Sequence, residues 1–331
     1  MTKGSIFYCL KTEPQTVLLV ISLLAHGCPV PAIVVAFGFD ERTVKDWWRR
    51  AGRHCQAVHD HVVGHSQLDL GQVQADEIKV KTQAGNIWMA MAMMVSTRLW
   101  LGGVISRHRD HSLIQSVADQ VRAVALCRPV LVAVDGLASY ISAFQRAFRS
   151  PVPRWGQPGR CHLRPWSDVV IVQVVKHRLN GHLSIVRRIV QGSAEQVTHL
   201  LRASQGGGQI NTAFIERLAS RATFRQRLAW LARRSRALAR QPETLQAGMF
   251  IVGCMYNLCT YHDSLRVAFY LAQGGQRWLQ RTPAIAAGLT DHRWTIEELF
   301  NFKVPPPRWT PPKLRGRPSK QTLQLVEQWC Y

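Results

Sequence analysis

The chain has 331 residues, and its 42 lysines and arginines face only 20 aspartates and glutamates, a formal net charge of +22. Hydrophobic residues make up 47% and charged residues 19%, enough apolar surface for a large core, which excludes an acidic disordered chain. A basic excess of this size points to a polyanionic partner, either nucleic acid or an anionic membrane surface.

The first residues settle which of the two is expected. No run reaches the roughly 18 uninterrupted apolar residues that a membrane span needs, because His26, Pro29 and Pro31 break the longest one. The apolar stretch Val17 to Leu24 imitates an export signal, but Glu13 interrupts its basic flank and no A-x-A site follows. Eight cysteines without a C-x-x-C pair argue against a disulfide framework or a closed zinc finger and fit a reducing compartment. The expectation is a cytoplasmic, nucleoid-associated protein with nucleic acid as its partner and no membrane.

Residues 1–66 pattern as a helix from Gln15 to Ala25, a break at Gly27 and Pro29, a short helix from Pro31 to Phe37 and a third from Glu41 to Arg53, capped by Asp40. This order suggests a helix-turn-helix whose third helix sets Lys45, Arg49, Arg50 and Arg53 against DNA phosphates. The competing reading is a small helical bundle with a solvated basic face. The cluster His54, Cys55, His59, His61 and His65 lacks zinc-ligand order and is expected to be a polar linker.

From Gly71 the period changes to strands over Gln72–Lys81, Asn86–Val95 and Arg98–Arg107, an antiparallel meander with a bulge expected near Gly102 and Gly103. A helix follows over Ser112–Leu126, then a buried strand over Pro129–Val134 that stops at Asp135-Gly136. Leu137–Phe148 is helical, Val169–Val175 a further strand, and Ser193–Ser204, Asn211–Arg240 and Gln246–Tyr261 are helical. The order predicts an α/β fold with a mixed sheet over residues 67–304. Residues 305–331 form a Pro- and Arg-rich tail, in which Arg315-Gly316-Arg317-Pro318 matches an AT-hook core or a generic phosphate-binding segment.

Charge is uneven: residues 1–70 carry an excess of only +1, residues 71–215 +10 and residues 216–331 +11. Acids are scarce, so those at strand ends stand out. Asp76 lies in the first strand within QADEIKVK and Asp135 ends the buried strand VLVAVDG. A carboxylate in such a place is costly unless paired or bound to a cation. Strand neighbours can bring the two side by side, and a divalent cation relieves their repulsion. Glu216 is the best-placed third acid, opening a helix on which Arg217, Arg221 and Arg225 recur at four-residue spacing. Its competing role is to neutralise those arginines. Strand alternation puts one of Asp76 and Glu77 on the site face, and Asp76 is chosen.

QADEI, VLVAVDG and NTAFIERLASRATFRQRL resemble the three acid-bearing blocks of bacterial insertion-sequence DDE transposases, closest to the insertion-sequence-one type. YNLCTYHDSLR and RTPAIAAGLTDHRWTIEELF resemble segments that close the catalytic domain in related elements. The resemblance spans about residues 15–320. It implies an RNase H-like fold, two Mg²⁺ or Mn²⁺ ions held by Asp76, Asp135 and Glu216, and double-stranded DNA, both element ends and target, as substrate. It also implies a homo-oligomer, because two ends must be joined. The 81 residues from Asp135 to Glu216 exceed the spacing of compact members, so an insertion or extra hairpin is expected over 150–210. Two alternatives remain in view: a DNA-binding regulator or catalytically decayed transposase, and a tyrosine recombinase, because His199 and Arg202 form an H-x-x-R with Tyr256 and Tyr261 downstream.

Overall fold

The computed structural model describes residues 4–82, 85–152, 160–179, 182–220, 223–231, 241–270, 275–306 and 319–329. Helices α1 (Pro14–Ala25), α2 (Val30–Phe37) and α3 (Glu41–His59) come first, and the Asp40 side chain accepts from the Arg42 amide at 2.8 Å, as a helix cap does. Strands β1 (Gly71–Thr82), β2 (Gly85–Met94) and β3 (Trp100–Ser106) form the meander. Then come α4 (His111–Val124), β4 (Val130–Asp135) and α5 (Ala138–Ala147), followed by a small hairpin of β5 (Arg149–Val152) and β6 (His162–Pro165). β7 (Val169–Leu179) and β8 (His182–Gln191) are long partners, and α6 (Ala194–Gln205), α7 (Ala213–Ser220), α8 (Phe224–Arg227) and α9 (Pro242–Cys254) follow. A second small hairpin pairs β9 (Val267–Tyr270) with β10 (Gln276–Leu279).

The main sheet has six strands in the order β3-β2-β1-β4-β7-β8. β1 is antiparallel to β2 and parallel to β4, β4 is parallel to β7, and β8 returns antiparallel at the edge. The protein is therefore α/β, with a mixed sheet flanked by helices. The register slips between Ala92 and Met93 opposite Gly102 and Trp100, which places the expected bulge. Over 150–210, where an insertion or extra hairpin was expected, the chain forms the β5–β6 hairpin, β7, β8 and α6.

The two faces of the sheet are distinguished by what β1 touches. Gln72 and Gln74 face α6 and α7: the Ser204 hydroxyl donates to Gln72, and Gln74 accepts from the Ile215 amide. Glu77, one residue out of phase, faces α5 through Tyr140. Leu131, Ala133, Val170 and Val172 on the first face bury Val197, Leu200 and Leu201 of α6.

Two expectations need correction. Residues 54–65 are no linker: α3 runs on through His59 and a π-helical turn spans Asp60–Gly64. Cys55 and His59 fall on the same buried stripe as Val44, Trp48 and Ala51, and that stripe packs against α9. The continuous helix expected over Asn211–Arg240 is interrupted at Thr223, whose φ of −135° is not helical, and residues 232–240 lie outside the described residues. Phe224, which opens α8, is buried against Trp100, ring centroids 5.9 Å apart. Among the described residues no helix is long and apolar enough to cross a membrane.

His59 closes α3 over the edge strand. Its ring lies 4.6 Å from that of Trp100, and its Nδ1 has no hydrogen-bond partner among the described residues. Burial lowers its imidazole to about 4. An unfolded histidine titrates near 6.5, so stability is full above pH 6.5 and is lost as the pH falls toward 4, by on the order of 3 kcal/mol. Between pH 4.5 and 7.5 the pH slope of urea-unfolding stability in His59→Leu is expected to differ from that of wild type by one proton's worth. An unchanged slope in the variant contradicts the assignment.

Candidate active site

The parallel pairing of β1 with β4 sets Ala75 beside Val134, which carries Asp76 and Asp135 to the same end of adjacent strands. Asp76 shares the face of Gln72 and Gln74, and Asp135 shares that of Leu131 and Ala133. Glu216 arrives from α7, whose start is fixed from the sheet. The buried Gln74 amide donates to the Asn211 carbonyl at 2.8 Å and accepts from the Ile215 amide at 3.0 Å, while Asn211 Oδ1 receives the Ala213 amide. All three acids line one open cavity of about 540 Å³, together with Arg109, Lys176 and Thr212.

The carboxylates are strained electrostatically. Burial, then the charge of Glu77, with Asp135 and Glu216 adding to it, pushes the Asp76 carboxyl up to about 7. A single backbone amide, that of Glu77, opposes this. Asp135 is also raised, chiefly by burial, although it accepts from the Leu137 amide at 2.9 Å and lies 3.6 Å from Arg109. Glu216 is ion-paired with Lys176 and accepts from the Thr212 hydroxyl at 2.5 Å.

Glu77 is in a different position from its neighbour. Oxygens of Asp76, Glu77 and Asp135 lie within 4.8 Å of one another, which by distance alone makes Glu77 a ligand candidate. Its side chain is only 1% exposed, however, and both oxygens are engaged: one by Arg109, at 2.6 Å from Nε, the other by the Tyr140 hydroxyl at 2.6 Å. Burial and Glu77 hold the Tyr140 phenol well above its ordinary range, so it remains a donor. Glu77 is best described as the anchor of Arg109, and the set open to the cavity is Asp76, Asp135 and Glu216. Hard oxygen donors suit Mg²⁺ or Mn²⁺, although Glu216 is not among the oxygens within 4.8 Å of one another and is held by Lys176.

The expected basic contacts are dispersed. On α3, Lys45 pairs with Glu41 at 2.5 Å, Arg49 donates to Gln241 at 3.0 Å, Arg50 donates to the Tyr8 carbonyl, and Arg53 is exposed. Arg217 is exposed beside Glu216, Arg225 lies on α8 beyond the break, and Arg221, Arg315 and Arg317 fall outside the described residues. Arg217 and Arg225 therefore do not share one helix. His199 and Arg202 sit exposed on α6 and do not line the cavity, while Tyr256 is buried, its phenol raised by that burial.

Sequence reasoning missed Arg109, Lys176 and Thr212, which line the cavity. Thr212 was visible as the residue one helical turn before Glu216. Lys176 sits just past the expected end of its strand, and one further β7 residue would have placed it on the Val172–Val174 face. Arg109 gives no such signal. The chain matches no protein-family model and no curated protein.

Proposed function

We propose that the protein is a DDE-type DNA transposase that cuts element ends and joins them to target DNA with two Mg²⁺ or Mn²⁺ ions. The observation that carries this is the meeting of Asp76, Asp135 and Glu216 around one cavity, the first two on adjacent parallel strands. The sheet order β3-β2-β1-β4-β7 supports an RNase H-like fold with β8 as an added edge. On this reading Asp76, Asp135 and Glu216 hold the ions. When bound, the ions supply activation of a water or 3′-hydroxyl and stabilisation of the leaving oxygen.

The chain's own residues do the rest. Gln74 fixes α7 so that Glu216 faces the aspartates, and Glu77 with Tyr140 holds Arg109 at the rim. Arg109 and Lys176 line the same cavity and would attract an entering phosphate. The exposed basic residues of α3 are assigned to duplex phosphates at the element ends, in a helix-turn-helix arrangement of α1 to α3, and two or more chains act together to hold both ends.

The test is cleavage of duplex DNA by the full chain. The expected result is a metal-dependent break leaving a 3′-hydroxyl, absent in chelator. Cleavage that survives chelation, or a covalent protein–DNA adduct, overturns the reading. Duplex binding without cleavage in either metal assigns the protein instead to a regulator or a decayed transposase.

A further inference from the structure

The β9–β10 hairpin stands apart from the core chemistry. Tyr270 pairs with Gln276 and Ala268 with Trp278, so these four share one face, and Arg266 continues it. Val267, Phe269, Arg277 and Leu279 form the other. Tyr270 is 78% and Trp278 48% exposed, a large apolar display for a ribbon of two strands, which is marginal on its own. The Arg266 guanidinium lies 4.3 Å from the centre of the Trp278 ring. From Arg266 to Arg281 the sequence holds three arginines and no acid.

The hairpin is rooted at His262 and Leu265. The His262 amide donates to the Arg281 carbonyl at 3.0 Å, and Arg281 Nε donates to the Leu265 carbonyl at 2.8 Å. The His262 ring packs edge-on to Tyr256 at 6.1 Å, and both feel the charges of Arg98 and Arg217, the latter adjacent to Glu216.

We propose that the Arg266–Trp278–Tyr270 face of this hairpin stacks unpaired bases of bound DNA. Resting on the transposase reading for its substrate, this assigns the face a ligand with flat π surfaces and negative charge. Aromatic rings take the bases, and arginine, here already stacked on one of them, takes the phosphates.

The test measures binding of the full chain, in chelator, to a blunt duplex and to the same duplex with a short 3′ overhang carrying 2-aminopurine. The overhang is expected to bind more tightly and its fluorescence to be quenched. Trp278→Ala is expected to weaken overhang binding by about 5- to 100-fold and abolish the quench, leaving blunt-duplex affinity within about twofold. Trp278→Phe retains most of both. Equal losses on the two duplexes, or no loss on either, overturn the proposal while leaving the transposase reading standing. So does a change confined to self-association, which assigns the face to a second copy. A chain that binds neither DNA fails both readings.

Discussion

Asp76→Asn is expected to abolish metal-dependent strand cleavage, a loss on the order of 10³-fold or more, and yet to make the metal-free protein more stable at pH 8. The two effects share one cause. The Asp76 carboxyl is raised to about 7 by burial and by Glu77, Asp135 and Glu216, while in the unfolded chain an aspartate titrates near 3.9. The folded protein thus holds an extra proton between these values. Its contribution to stability is full below about pH 4, falls as the pH rises, and is gone above about pH 7. A neutral asparagine keeps the hydrogen bond from the Glu77 amide without the charge. The variant should therefore unfold later than wild type at pH 8, by a few kcal/mol, and the gap should close toward pH 4. Mg²⁺ should stabilise wild type at pH 8 and the variant much less. Paired melts at pH 5 and pH 8, with and without Mg²⁺, decide it. Equal gaps at both pH values sink the electrostatic account, and retained cleavage sinks the site.

Much of the sheet was legible because its signals are local. Alternation over QVQADEIKVK, the apolar run VLVAVD and the cap at Asp40 give β1, β4 and the start of α3 to within one residue. The same alternation separates Asp76 from Glu77. What was hidden depends on partners distant in sequence. The histidines and Cys55 look like a polar linker until Trp100, Phe250 and α9 supply the apolar surroundings of His59. The Ala- and Arg-rich run after Asn211 has helix propensity throughout, and only the packing of Phe224 on Trp100 reveals the break. That Glu77 holds Arg109 depends on Tyr140, 63 residues away in the chain. The β9–β10 hairpin was readable and overlooked: VAFYL and QRWLQ flank Gly274-Gly275, a turn signal between two strand-like runs.

Gly52→Ala should be the most damaging one-methyl change in the N-terminal helices. A Cβ at position 52 would lie 2.3 Å from Ala247 Cβ and 2.4 Å from its Cα, so the obstacle is α9 itself and not the end of a flexible side chain. Helix propensity pulls the other way, favouring alanine by only about 1 kcal/mol. To relieve the overlap the two helices must separate, and Trp48 goes with them. Its Nε1 donates to the Thr244 carbonyl at 3.1 Å, and its ring already limits the space at Gly248. Parting these surfaces should cost about 3 kcal/mol or more, well above the propensity gain. Gly64→Ala is the control: its nearest neighbour is 3.8 Å from the added methyl and its φ is not positive, so it should be neutral or slightly stabilising. Urea unfolding of both variants measures the contrast. If α3 and α9 are one packed unit, Gly52→Ala lowers the midpoint of the whole transition and weakens duplex binding through displaced Arg49 and Arg53. A variant as stable as wild type would mean that the two helices do not meet this closely, and that the basic face of α3 is not held in place by α9.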